Sequence, residues 1–240
     1  MNDEEKKKLS AFGQVTIQGQ AVEMKQAREI DLVFVFDTTG SMGGKIKALL
    51  DTCDGLVTEL HRKQLRWRAG IVAFGDLTVP GDTIKQTGMT NQLSVFKEML
   101  RKIPLNSGGA NDGESSLEAI QAGIKLLRKQ GQSVRVFVVI TDEPALNSKR
   151  APQVTQLLMR EAILTFCVTP DLSYFKEMAK STGGIWLEVG ADTSFDKIES
   201  TLLNIASQIA VIVDEVYQPK LGDGSVKQYL EVKRRLELKS

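Results

Sequence analysis

Apolar positions along this chain fall into two alternating patterns, short and nearly unbroken runs, and longer stretches stepped by three and four. The runs are DLVFVFD from Asp31, RWRAGIVAFGD from Arg66, SVRVFVVITD from Ser133, AILTFCV from Ala162 and GGIWLEV from Gly183. Apolar at almost every position, they predict strands covered on both faces. Between them, Ile46, Leu49, Leu50, Cys53, Leu56, Val57 and Leu60 share one helical face, as do Leu117, Ile120, Ile124 and Leu127. A last helix carries Phe195, Ile198, Leu202, Ile205, Ile209 and Ile212 at the same steps. Strands and helices therefore alternate from Asp31 to about Val213, the pattern of a parallel sheet with helices on both faces.

One segment breaks the alternation. After the turn-rich TVPGD, TIKQTGMT from Thr83 reads as a short polar strand, reached too soon for a crossover helix, which predicts an antiparallel edge. The expected fold is α/β, Rossmann-like and doubly wound, with six mostly parallel strands, one of them an antiparallel edge strand. Residues 1–30 read as an extension in which GQVTIQGQ could add a strand, and residues 31–213 as the domain. Residues 214–240 read as the linker YQPKLGDGS and a charged helix from Ser225.

In such a sheet the ligand site lies beyond the carboxyl ends of the strands. The first core run stops there at FDTTGSMGGK, where an acid, hydroxyls and glycines lead into a helix. A phosphate loop needs GxxxxGK followed by Ser or Thr. Thr39 stands six positions before Lys45, and Ile46 follows it, so that pattern is broken at both ends. A second reading makes Asp37 the nucleophile of a magnesium-dependent phosphatase or phosphotransferase, because DTTGSM resembles the DKTGT segment of haloacid-dehalogenase-type enzymes. GGAND, from Gly108 to Asp112, even mimics their acidic magnesium loop, but it precedes the strand ending in ITD rather than following the last catalytic strand.

The third reading fits throughout. Asp37, Thr39 and Ser41 form DxTxS, a variant of the DxSxS of a metal-ion-dependent adhesion site, and VVITDEP adds Asp142. With STGG from Ser181, residues 31 to about 213 resemble a von Willebrand factor type A domain. TTGSM and AFGD resemble the intracellular branch that includes the alpha-kinase-linked domains. The resemblance implies a bound Mg2+ or Mn2+ and a protein-interaction role without catalysis. The chemistry suits the spacing, since magnesium takes about six oxygens near 2.1 Å and keeps several waters. Alternate residues of one tight loop can then aim Thr39 and Ser41 at the ion, with Asp37 and Asp142 supplying charge directly or through water. Ser41 alone would more commonly be a helix N-cap.

The family usually adds a threonine after a Gly-Gly pair, where this chain has Ala110. Asn111 or Asp112 must stand in; Asp112 is the first choice, its alternative role being a cap for a helix near Gly113. As a third carboxylate, Asp112 would make the cluster negative and less welcoming to a partner's acid. Asp76, ending AFGD, is read either as a supporting negative charge behind the ligands or as turn chemistry.

Composition excludes several alternatives. Lys and Arg total 31 against 30 Asp and Glu, so no net field favours nucleic acid or an anionic membrane. No apolar stretch has the length of a secretory signal or membrane span, which predicts a cytoplasmic protein. Cys53 and Cys167 fall on apolar faces and read as reduced, packed thiols. His61, the single histidine, sits at a helix end, so Ser–His–Asp and Cys–His mechanisms lack a base. Trp67 and Trp186 read as core or sheet-edge residues. The expected partner is another protein, a component of an ATPase, kinase or protease system.

Overall fold

A computed structural model describes residues 14–17, 20–23, 29–63, 65–109, 113–127, 133–189 and 195–216. Six strands form the main sheet: β3 (Glu29–Asp37), β4 (Arg66–Phe74), β5 (Lys85–Gln86), β6 (Val134–Ile140), β7 (Ile163–Thr169) and β8 (Trp186–Glu188). Their order is β5-β4-β3-β6-β7-β8. All neighbours are parallel except β4 and β5, where Val72 faces Gln86 and Ala73 faces Lys85. The polar run from Thr83 is thus the antiparallel edge that its early arrival predicts.

Alternation along β3 divides the core. Ile30, Leu32, Phe34 and Phe36 face one side, packing with Cys53, Leu56, Val57 and Leu60 of α1 (Gly43–Arg62), Phe96 and Leu100 of α2 (Leu93–Arg101), and Ile205 and Ile209 of α6 (Phe195–Val216). Val33 and Val35 face the other, against Leu117 and Ile120 of α3 (Ser116–Ile124), Val154 and Leu158 of α4 (Ala151–Arg160), and Phe175 and Met178 of α5 (Ser173–Ser181). Burying apolar surface on both faces of one sheet is the main stabilising term, at about 25 cal/mol per Å² removed from water. Both cysteines are buried and free, and burial pushes each thiol up, out of the reactive range. Trp67 is buried, while Trp186 lies on the edge strand with the Lys176 ammonium 4.3 Å from its ring.

In the stretch expected to add a strand, β1 (Gln14–Ile17) and β2 (Gln20–Glu23) pair antiparallel in a two-stranded sheet separate from the main one, from Gln14↔Glu23 to Ile17↔Gln20. Two four-residue strands so near in sequence satisfy one another's backbone groups first. The charged segment from Ser225 and the linker before it lie outside the described residues.

Chain direction creates the site. From β3 the chain crosses to β4 on one side, whereas β6, on the other side of β3, leads away to β7. The carboxyl ends of β3 and β6 therefore flank the crevice where strand order reverses. Asp37 ends β3 and Asp142 follows β6 by two residues.

Candidate metal centre

Asp37 is fully buried, and both its carboxylate oxygens are engaged. Oδ1 accepts from the Thr39 N–H at 2.8 Å and the Thr39 Oγ1–H at 2.6 Å, and Oδ2 accepts from Thr141 Oγ1 at 2.9 Å. Thr39 Oγ1 lies 3.2 Å from Ser41 Oγ, which in turn donates to Asp142 Oδ1 at 3.0 Å. Four residues predicted as ligands, Asp37, Thr39, Ser41 and Asp142, thus form one continuous run of oxygens. The run climbs from the core to the surface, since Thr39 is buried and Ser41 exposed.

Ser41 is not a cap. A single 3-10 turn, Gly40–Met42, precedes α1, whose N-cap position is Met42, and no side chain caps it. The hydroxyl is used across the crevice instead. Gly40 serves close approach: its N–H reaches the Ser107 carbonyl at 3.4 Å, and a Cβ there would sit 3.2 Å from that oxygen.

A second set of bonds fixes the loops. Asp82 Oδ1 accepts from the Ser107 N–H and Oγ–H, each at 2.8 Å, while Oδ2 accepts from Gly108 N–H at 2.9 Å and Asp76 N–H at 3.2 Å. Burial pushes the Asp82 carboxyl up, but the donors from Ser107, Gly108 and Asp76 outweigh it and hold the group below its ordinary value. Buried Asn106 donates to Thr38 Oγ1 at 2.8 Å and to the Thr83 carbonyl at 3.2 Å, and accepts from Thr83 N–H at 3.0 Å. The β3 loop, the β5 hairpin and the 106–108 loop are therefore one bonded unit.

Asp76 shows the predicted turn chemistry: its Oδ1 accepts from the N–H and Oγ1–H of Thr78 at 2.8 and 2.7 Å. Its carboxylate is buried, and its charge acts on Glu114. Asn111 and Asp112 lie outside the described residues. The helix that Asp112 was a candidate to cap begins at Ser116, with Ser115 in the N-cap position.

Sequence reasoning missed Glu114, Asp82, Asn106 and Thr141. Glu114 is held by its backbone, its N–H donating to Pro144 O at 2.8 Å and its carbonyl accepting from Leu146 N–H at 3.0 Å. Its side chain is buried, and Oε2 has no hydrogen-bond partner among the described residues. Burial, then the charges of Asp37, Asp76, Asp82 and Glu143, push this carboxyl up to about 8. Asp37 is likewise pushed up to about 6 by burial, with Asp142 adding to it against the bonds from Thr39 and Thr141.

These observations fit a small divalent cation. Successive oxygens of the run stand 2.6, 3.2 and 3.0 Å apart. The edge of an octahedron with metal–oxygen distances near 2.1 Å is about 3.0 Å. Burial, with neighbouring carboxylates adding to it, raises both Asp37 and Glu114, a setting that a bound cation would relieve. Among the described residues no three His, Cys, Asp or Glu side chains gather as a cage, so hydroxyls and waters must complete any shell, as magnesium prefers.

Solved structures share this fold at low identity. The open conformation of the pilus adhesin SpaC from Lactobacillus rhamnosus GG aligns with TM-score 0.61 at 13% identity, over 78% of this chain and 30% of that one. The conserved hypothetical protein BatB from Bacteroides thetaiotaomicron gives 0.56 at 18%, over 75% and 97%. Proximal thread matrix protein 1 from the mussel byssus, with a zinc-occupied MIDAS motif, gives 0.58 at 15%, over 76% and 46%. The chain thus spans about a third of the pilus adhesin and about half of the mussel protein. No curated protein sequence gives a match. The model of the von Willebrand factor A domain matches residues 31–191, from the first core strand through the last, and this chain belongs to that family.

Proposed function

We propose that the chain is a metal-dependent protein-interaction module, an adaptor or scaffold, that holds Mg2+ or Mn2+ through Asp37, Thr39, Ser41 and Asp142, with Asp112 in the place of the usual threonine. The observation that carries this reading is the oxygen run from buried Asp37 to exposed Ser41, whose successive spacings are compatible with the edges of a metal–oxygen octahedron. A cation bound there supplies an open coordination position to a partner's oxygen. Asp37 contributes fixed charge, Thr39 and Ser41 contribute neutral oxygens, and Asp142 anchors the exposed end.

Two apolar side chains support docking at the same end. Leu77, next to Asp76, is 50% exposed and Leu105, next to Asn106, is 70% exposed. An ion flanked by exposed leucines suits a partner that presents an oxygen within an apolar patch. The partner is another protein, in the cytoplasmic setting of the TTGSM branch a component of an ATPase, kinase or protease system. The zinc-occupied site of the mussel protein supports a divalent ion in this fold position. Among the described residues no helix is long and apolar enough to cross a membrane.

The phosphotransfer alternative finds less support. A nucleophilic carboxylate needs one oxygen free to attack, whereas both oxygens of Asp37 accept hydrogen bonds and the residue has no exposed surface. Calorimetry with Mg2+ and Mn2+ tests the main reading: heat is expected for the native protein and none for an Asp37→Ala, Ser41→Ala double variant. Equal binding by that variant, or no binding by either, would sink the site. Phosphate release from generic substrates that vanishes in Asp37→Asn would instead favour the enzyme.

A further inference from the structure

Glu114 is a buried acid that neither the DxTxS pattern nor the Asp142 strand end accounts for. It is 5% exposed, yet its Oε2 has no partner among the described residues. A buried, unpaired carboxylate oxygen is costly and requires an explanation. Its surroundings supply one. The place where a Cβ on Gly108 would sit lies 3.3 Å from Glu114 Oε1, 3.1 Å from Thr39 Cβ and 3.4 Å from Thr39 Cγ2. Gly108 has φ +75°, in the left-handed region, and leaves that space open between the acid and the side chain of Thr39, the residue whose hydroxyl enters the oxygen run.

No basic side chain among the described residues pairs with Glu114. The charges that act on it, those of Asp37, Asp76, Asp82 and Glu143, are all of its own sign. Local structure does not explain the residue either: α3 begins only at Ser116, and the N-cap position, Ser115, makes no side-chain cap bond. What remains is a neighbour of opposite charge that the described residues do not provide.

We propose that Glu114 is the charge-balancing residue of the cation, holding one of its coordinated waters from beneath the 106–108 loop. The inference rests on the metal-dependent reading above. Contact through water agrees with the lack of a three-acid cage and with the several waters that magnesium keeps. Glu114 is thus a positioning residue, and together with Asp37, Asp142 and the proposed Asp112 it makes the cluster formally more negative than the ion is positive. An ion so balanced is retained without a carboxylate from the partner, and a neutral oxygen becomes the better docking group.

The test is Mn2+ titration of the full chain at pH 8, with melting curves in chelator and in excess Mn2+, on native protein and Glu114→Gln. Gln keeps the shape and removes the charge. Expected are at least a tenfold loss of Mn2+ affinity, a higher Tm than native in chelator, and a lower Tm than native in Mn2+. A purely structural glutamate would lower Tm in both conditions. Unchanged affinity in Glu114→Gln while the native protein binds Mn2+ overturns the role of Glu114 and leaves the metal reading standing. Absence of binding by the native protein overturns both. Failure of Glu114→Gln to fold in chelator would show that the carboxylate serves the fold, and would overturn the proposal as well.

Discussion

Asp37 and Asp76 make the same turn at the ends of neighbouring strands. In each, Oδ1 accepts from the N–H and the Oγ1–H of the threonine two residues later, at 2.8 and 2.6 Å for Thr39 and at 2.8 and 2.7 Å for Thr78. Repeated at the carboxyl end of β3 and just beyond that of β4, this Asp-x-Thr turn places two buried acids at one end of the sheet. Their electrostatics lead to the first prediction.

Metal-free protein should lose stability as pH rises. Burial raises Asp37 from 3.8 to about 6 in the folded state. A raised carboxyl favours folding when protonated, so its contribution is complete below 3.8 and is lost as pH rises through about 6. The difference amounts to about 3 kcal/mol at most. Glu114, raised to about 8, extends the decline upward. Urea unfolding in chelator from pH 4 to 9 should show this fall, and Asp37→Asn should flatten its lower part. Saturating Mg2+ should reverse the trend, because protons and cation compete for the same oxygens. A metal-free stability that rises between pH 4 and 6 would contradict the assignment.

Asp82→Ala should damage the site without touching the proposed ligands. The substitution deletes four accepted bonds, from Ser107 N–H and Oγ–H, Gly108 N–H and Asp76 N–H. Leaving these donors to water at a partly buried place costs about 2–3 kcal/mol. Metal affinity should fall too, since the 106–108 loop loses its anchor. Denaturation and calorimetry on one preparation measure both effects.

Asp112 separates ligand from bystander. If it serves the ion, Asp112→Ala should weaken metal binding clearly, and Asp112→Thr should restore it by returning the usual hydroxyl. If it only stabilises the start of α3, both variants should bind as native does, with a loss of about 1 kcal/mol in Asp112→Ala. Unchanged affinity in Asp112→Ala would remove the residue from the ligand set.

Much of this site was legible because strand ends are legible. An apolar run that stops at an acid locates Asp37, and a second locates Asp142; the two-residue spacing of DxTxS then puts Thr39 and Ser41 in the same loop. The edge strand was legible from the short connection before it. Glu114, Asp82 and Asn106 were not, because their roles lie in bonds and charges that cross between loops. Asp82 reaches Ser107 25 residues away and Asn106 reaches Thr38 68 residues away, and no local period encodes such pairings. In sequence, PGD reads as a turn and GES as a helix start, both true and both incomplete.

The Asp82 clamp also bears on how quickly an ion can be taken up. Because one carboxylate ties the 106–108 loop to the end of β4, and Asn106 ties it to Thr38, the loops are set before any ion arrives. Uptake of an ion at the proposed site should then need no slow rearrangement of these described loops. Stopped-flow mixing with Mn2+ should give a single phase whose rate rises linearly with concentration and does not plateau. Breaking the clamp should introduce a concentration-independent step, turning a lock-and-key receptor into one that must wait for its loops to close.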